Sequence, residues 1–331
     1  MTVPAASLAP LLSVRALAVA YRTLYQGRSV TLPAVNGVSF DLAPGEALGV
    51  VGESGSGKSS LARALLRLVK AASGSAQFQG VDLLRVRGAQ LRSLRRHLQL
   101  VFQDPLASLD PRMTVSDIIA EPLLTFEPRL SAAQRLERVA AMLRVVGLDA
   151  DHLPRYPHEF SGGQAQRIAI ARALIAGPDL IVCDEPLSAL DVSIKSQISN
   201  LLKDLQRERG LSLLFISHDL AAVRFLCDRV LVLYLGRVLE IAATEALFGE
   251  ACHPYTRALI SAAPVPDPER VPEPLALLDA EIPSPLSAPC GCAFRTRCPM
   301  AIERCAREVP QLRAVATSLV ACHRAEEVRG G

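Results

Sequence analysis

The stretch Gly52-Glu53-Ser54-Gly55-Ser56-Gly57-Lys58-Ser59 decides the fold. It follows the apolar run Ala47-Leu48-Gly49-Val50-Val51 and leads into Ser60-Leu61-Ala62-Arg63-Ala64-Leu65-Leu66, so it reads as strand, glycine-rich turn and helix. Glycines let the backbone curl until successive N–H groups face an anion, and the helix adds the positive end of its dipole. Lys58 is placed to reach the outer phosphates of a nucleotide, and the Ser59 hydroxyl to ligate the magnesium ion that bridges them. The expected phosphate contacts are therefore Gly52, Ser54, Gly55, Ser56, Gly57, Lys58, Ser59 and Ser60.

On either side of that turn the chain alternates between short apolar runs and amphipathic stretches. Leu12 to Ala20 reads as the first strand, and Val38, Phe40 and Leu42 alternate with polar or small residues before the turn Pro44-Gly45-Glu46. Tyr21, just beyond the first strand, is a candidate to stack on a base. Gly74 to Gly80 and Leu98 to Phe102 read as further strands, the second ending on Gln103. From Pro105 to Glu159 the pattern is helical. Ser131-Ala132-Ala133-Gln134 is a capping box, with Leu136, Val139, Leu143 and Val146 at helical spacing until Gly147. A helix over Gly162 to Ala176, a buried strand Leu180-Ile181-Val182-Cys183, a helix capped by Asp191 and a strand Leu211 to Ile216 follow. This alternation predicts an α/β fold with a mostly parallel sheet, whose ligands gather at the carboxyl ends of the strands.

Length and composition bound the remainder. The 331 residues suit a large core with an appendage, and half of them are apolar. Tryptophan is absent and aromatics are 4%, so aliphatic residues fill the core. The net charge is only +3, with basic residues scattered in short groups such as Arg92, Arg95 and Arg96, which argues against a dedicated nucleic-acid grip. No apolar stretch is long enough to span a bilayer. The apolar segment Val3 to Tyr21 lacks a basic leader and contains Arg15, so a secretory signal is not expected.

Four further positions carry chemistry. Asp184-Glu185 ends a run of apolar residues. Beside a phosphate-binding loop, Asp184 would hold the magnesium shell and Glu185 would act as general base on the attacking water. Gln103 and His218 close two other strands, where an amide can reach metal or water and an imidazole can reach the outermost phosphate. Ser161-Gly162-Gly163-Gln164 opens a helix far along the chain, making a second anion-receptive helix start. One nucleotide needs one such cradle, so this one is expected to serve the nucleotide of a partner subunit.

In order, these motifs identify the chain as similar to ATP-binding cassette (ABC) subunits. Gly52 to Ser59 resembles the Walker A loop, Gln103 the Q-loop, Ser161 to Gln164 the signature, and Ile181 to Glu185 Walker B. Ser188-Ala189-Leu190-Asp191 resembles the D-loop and His218 the switch histidine. Phe160 replaces the leucine more usual before the signature serine, and Ala165 stands where relatives often carry Arg or Cys. The resemblance implies a P-loop NTPase of the cassette type: a mostly parallel sheet, an antiparallel β-subdomain, and a helical subdomain over about 105–170. The cofactors would be ATP and Mg2+, with Ser59, Gln103 and Asp184 at the metal, Glu185, His218 and Gln103 catalytic, and Tyr21 and Asp191 among the nucleotide-binding residues.

Val101-Phe102-Gln103-Asp104-Pro105-Leu106-Ala107-Ser108-Leu109-Asp110-Pro111-Arg112, Arg155 to Phe160, His253 to Leu259 and Ile282-Pro283-Ser284-Pro285 narrow the likeness to the ATPases of oligopeptide and dipeptide importers. That implies a peripheral protein on the cytoplasmic face of the membrane, paired under two permease subunits with a second ABC ATPase subunit, the D-type ATPase of such importers. An extracytoplasmic peptide-binding protein would feed them. Segments near Gln103 and in the helical insertion would receive a permease helix. A soluble cassette acting on nucleic acid or ribosomes, and importers of nickel or glutathione, are the alternatives.

The expected organisation is a cassette over 11–262, a proline-rich connector over 263–289 and a small cysteine-rich extension over 290–331. Five of the eight cysteines fall between Cys290 and Cys322. Cys292, Cys298, Cys305 and Cys322 are separated by five, six and sixteen residues, without the C-x-x-C pairs of common zinc modules. Four thiolates can hold zinc or an iron–sulfur cluster. The resemblance implies a four-iron cluster, since similar tails in the peptide-importer family carry cysteines proposed to bind one.

Overall fold

The computed structural model describes residues 9–25, 27–263 and 283–330. Most of the proline-rich connector, residues 264–282, lies outside them. The chain opens with a hairpin of β1 (Leu12–Tyr25) and β2 (Arg28–Leu42), then β3 (Ala47–Val51) and α1 (Lys58–Leu65) flank the glycine-rich turn. β4 (Ser73–Phe78), β5 (Val81–Asp82), α2 (Gly88–His97) and β6 (Leu98–Val101) follow. The helical insertion comprises α3 (Pro105–Ser108), α4 (Val115–Phe126), α5 (Ala132–Val145) and α6 (Gly162–Leu174). The alternation then resumes with β7 (Leu180–Asp184), α7 (Val192–Arg209), β8 (Ser212–Ile216), α8 (Leu220–Leu226), β9 (Arg229–Tyr234) and β10 (Arg237–Ala243). Two helices, α9 (Thr244–Glu250) and α10 (Pro254–Ala262), complete this part of the chain.

Two sheets result. One is antiparallel in the order β2-β1-β4-β5. In the other, β9, β3, β8, β7 and β6 lie parallel and in that order. β3, β7 and β8 are buried at every position, so they are near-continuous apolar runs without alternation. Their two faces feed different cores. Ala47 and Val51 face the side of α6, α7 and the helical insertion, while Leu48 and Val50 face α1 and the antiparallel sheet. All five parallel strands end at one edge, and the turns leaving β3, β6, β7 and β8 carry Gly52 to Ser59, Gln103, Glu185 and His218.

The C-terminal residues extend this sheet. β11 (Arg313–Val315) and β12 (Ser318–Val320) form a hairpin, and β12 pairs antiparallel with β10 through Glu240↔Val320, Ile241↔Leu319 and Ala242↔Ser318. The cysteine-bearing turns are built into the larger core, which includes Cys292, Phe294 and Cys305 beside Tyr234 and Tyr255.

Two sequence readings change. Tyr21 lies inside β1, opposite Leu32 of β2, because the hairpin carries the strand on to Tyr25. Leu136 is 50% exposed, whereas Val139, Leu143 and Val146 are fully buried. The apolar stripe of α5 therefore meets the core only from its second turn onward.

Candidate functional site

The glycine-rich turn Gly52 to Ser59 holds its shape through backbone packing. Gly57 has φ 104°, and a Cβ there would lie 2.2 Å from the Ala34 carbonyl oxygen. At Gly52 a Cβ would lie 2.1 Å from the carbonyl oxygen of Leu233. Only glycine fits either place. Lys58 is buried and donates from Nζ to the carbonyl oxygens of Gly52 (2.7 Å) and Glu53 (2.9 Å), so its ammonium is held inside the turn. Burial pushes its pKa down, while the carboxylates of Glu185, Asp184 and Glu53 work against that shift.

The amino end of α1 tests whether an anion fits. The first N–H groups of any helix lack intrahelical partners. The starts of α6, α7 and α8 are capped by the side chains of Ser161, Asp191 and Asp219. α1 begins at Gly57 with no side-chain cap. Its leading amides, the Lys58 ammonium and the Ser59 hydroxyl thus make a donor set suited to phosphate and to a magnesium ion bound with it.

Opposite this set stand the carboxylates. Ser59 Oγ donates to Asp184 Oδ1 at 2.8 Å, and burial raises the Asp184 pKa against the lowering effect of that hydrogen bond. Glu185, one residue on, has left the strand: its φ is 49°, in the left-handed region, and its N–H donates to the Ile216 carbonyl at 2.9 Å. Such a conformation costs a non-glycine residue about 1–3 kcal/mol. It turns the carboxylate toward two neighbours, since Gln103 Nε2 donates to Glu185 Oε2 at 3.2 Å and His218 Nδ1 lies 3.4 Å from the same oxygen. Tyr21 Oη donates to Ser60 Oγ at 3.2 Å, which places the ring beside the start of α1.

Lys58, Ser59, Gln103, Asp184, Glu185 and His218 are therefore one cluster, and Tyr21 and Ser60 border it. The signature residues are not part of it. Ser161 Oγ accepts from the Gln164 N–H and Gln164 Oε1 accepts from the Ser161 N–H, closing a capping box on α6. A Cβ on Gly163 would lie 2.5 Å from Ile194 Cγ2, so this glycine permits the close approach of α7. Ser161 and Gly162 are exposed. Asp191 caps α7 by accepting from the Ile194 N–H at 2.9 Å. No hydrogen bond joins Ser161 to Gln164, or Asp191, to the phosphate-binding turn among the described residues.

Sequence reading missed one member of this neighbourhood. Arg297, beyond the connector, sets its guanidinium fork on Glu53, with Nη1 2.7 Å and Nη2 3.0 Å from the two carboxylate oxygens. That hydrogen bonding holds the Arg297 pKa above its usual value. The two residues are 244 positions apart, and no motif marks either of them as paired.

The cysteine-rich segment does not supply the expected metal site. Among the described residues, no three His, Cys, Asp or Glu side chains are placed to hold a metal ion. Cys292, Cys298, Cys305 and Cys322 are neighbours, for each of Cys292, Cys298 and Cys322 has its pKa raised first by burial and then by other cysteines of this set. Burial pushes Cys322 up to about 11. The residues as placed do not fit a four-iron or zinc cage.

Comparison with known proteins places the chain in a family. The ABC transporter family model matches residues 35–188, and that of the oligopeptide/dipeptide transporter C-terminal region matches 239–305. The chain is 54% identical over 293 residues to the oligopeptide transport ATP-binding protein OppF of Escherichia coli, covering 88% of each chain. It is 52% identical over 320 residues to OppF of Haemophilus influenzae, covering 94% of this chain and 96% of that one. Among solved structures it is similar to the ATP-binding cassette MJ0796, solved as a dimer in a post-hydrolysis state bound to ADP and Pi. There the TM-score is 0.64 and the identity 27%, over 70% of this chain and 98% of that one. The chain belongs to the ABC transporter family, among its oligopeptide-transport ATP-binding proteins.

Proposed function

We propose that this chain is the ATP-hydrolysing subunit of a peptide importer and that it acts as one of a pair of cassettes. One observation carries the reading: the chain gathers Lys58, Ser59, Gln103, Asp184 and His218 around Glu185, yet leaves the capped start of the signature helix, Ser161 and Gly162, exposed and outside that cluster. In this reading each nucleotide lies between the cluster of one subunit and Ser161, Gly162, Gly163 and Gln164 of the other. The OppF relatives support a peptide as cargo.

The chemistry follows from the cluster. The α1 amides and Lys58 hold the phosphates, and Tyr21 packs against the base. Ser59, Asp184 and Gln103 would hold Mg2+, which would supply charge neutralisation to the phosphates. Glu185 accepts the proton of the attacking water as its oxygen bonds the γ-phosphorus and the bond to the bridging oxygen breaks. Gln103 and His218, both on Glu185 Oε2, fix the direction of that carboxylate.

No helix among the described residues is long and apolar enough to cross a membrane. Phe102, Leu106, Leu124 and Tyr156 are exposed around the end of β6 and the helical insertion. They offer an apolar surface to a permease subunit on the cytoplasmic face. A second cassette of the D type, two permease subunits and an extracytoplasmic binding protein complete the proposed assembly.

The test is reconstitution with the permease subunits in vesicles. ATP hydrolysis is expected to rise on adding peptide-loaded binding protein and to power uptake of labelled peptide. Stimulation by nickel, glutathione or nucleic acid in place of peptide would overturn the cargo assignment. Iron, acid-labile sulfide and zinc, measured on anaerobically purified protein, test the tail. About four irons and four sulfides per chain would assign Cys292, Cys298, Cys305 and Cys322 to a cluster, and their absence would leave packed thiols.

A further inference from the structure

Glu53 brings a carboxylate into a turn whose amides and lysine are arranged to receive an anion. Left alone, it would compete for Lys58 and repel phosphate, and it is one of the three carboxylates acting on that lysine. It is not left alone. Its carboxylate takes both arms of the Arg297 fork, at 2.7 and 3.0 Å. Its N–H donates to Tyr255 Oη at 3.0 Å, and its carbonyl accepts from Lys58 Nζ at 2.9 Å and from the Ser56 N–H at 3.2 Å. Every polar group of Glu53 thus has a partner, and two of the partners come from residues beyond β10.

The arginine is built in. Its side chain is only 2% exposed, and its guanidinium lies 5.8 Å from the ring centre of Tyr234 and 5.9 Å from that of Phe294. Phe294 in turn packs 5.3 Å from Tyr255. A bidentate Arg–carboxylate pair, sheltered by aromatic rings, fixes direction as well as charge.

We propose that Arg297 is a positioning residue for the phosphate-binding turn: by neutralising and holding Glu53 it makes ATP affinity depend on the docked C-terminal segment. The inference rests on the reading of Gly52 to Ser59 as the ATP site. Arg297 itself touches neither nucleotide nor reacting atoms. Its effect is on how Lys58 and the turn meet phosphate, so it acts on ATP binding more than on turnover at saturation.

The experiment is a double-mutant cycle in the full chain, with ATP affinity read by competition against a fluorescent nucleotide and KM and kcat read in parallel. Arg297→Ala is expected to weaken ATP binding about tenfold, a shift typical of coupled neighbours, with KM rising more than kcat falls. Placed on Glu53→Gln, the same substitution is expected to change the affinity by about twofold or less, because no carboxylate is left to neutralise. An equal loss in both backgrounds, as from a general folding defect, overturns the proposal, and so does unchanged affinity in Arg297→Ala alone. Lys58→Ala separates the two readings. If it binds ATP like the unaltered chain, the site assignment itself fails; if it loses binding while Arg297→Ala does not, only the positioning role fails.

Discussion

Ser59 and Asp184 share a hydrogen bond of 2.8 Å, which ties the first turn of α1 to the end of β7 across 125 positions of sequence. The contact holds the two proposed magnesium ligands together. Burial disfavours the charged form of Asp184, and this hydrogen bond offsets part of that effect.

Asp184→Asn follows from that burial. A carboxyl whose folded pKa lies above its unfolded value binds its proton more tightly in the native chain, so ionisation of Asp184 at neutral pH works against the fold. The substitution is expected to raise the melting temperature of the nucleotide-free protein at pH 7 and to remove that gain at acid pH. Magnesium-dependent ATP affinity should fall by about 10–100-fold. Calorimetry at pH 4 and pH 7, with and without MgATP, reads both effects.

Glu185→Gln keeps the shape of the side chain and the left-handed backbone of the residue while removing the proton acceptor. ATP binding is expected to persist, and the variant should accumulate as an ATP-bound pair. Steady-state hydrolysis should drop by about 10²–10⁴-fold. Wild-type turnover in this variant would assign the base elsewhere.

Gly57→Ala places a Cβ against the Ala34 carbonyl and holds φ 104° in a residue that disfavours it. Strain of about 1–3 kcal/mol and a displaced turn are expected, with ATP affinity falling by at least tenfold. Gly55→Ala has a similar φ problem, at 78°, but open space around it. It should be the milder of the two by both melting temperature and nucleotide affinity.

His253 is buried at the start of α10, and burial pushes its pKa from 6.5 down to about 3. Its Nδ1 accepts from the Tyr255 N–H at 3.0 Å, which requires the neutral ring. Below pH 6.5 the unfolded chain takes up a proton that the folded chain refuses until about pH 3, so stability is lost across that window as pH falls. His253→Asn should flatten this part of the melting-temperature profile relative to the unaltered chain.

Local sequence was enough for the order of elements and for most of the proposed site. The turn Gly52 to Ser59 could be read because its glycines answer a backbone demand that is local. Asp184, Glu185, Gln103 and His218 could be read because each ends a strand, and parallel strands deliver their ends to one edge. The capping boxes of Ser131 and Ser161 are likewise formed within four residues.

What the tertiary structure alone decided concerns direction and partnership. The left-handed turn at Glu185, the exposure of Leu136 and the continuation of β1 through Tyr21 each depend on what lies across from the residue, which periodicity does not encode. The joining of Arg297 to Glu53 depends on β12 pairing with β10 and on Phe294 entering the core, contacts between segments far apart in the chain. The sequence by itself pointed to the family and to the residues proposed to build its nucleotide site. Only the folded chain decided that its phosphate-binding turn is held from the C-terminal end, because an ion pair between distant segments leaves no pattern in the spacing of residues.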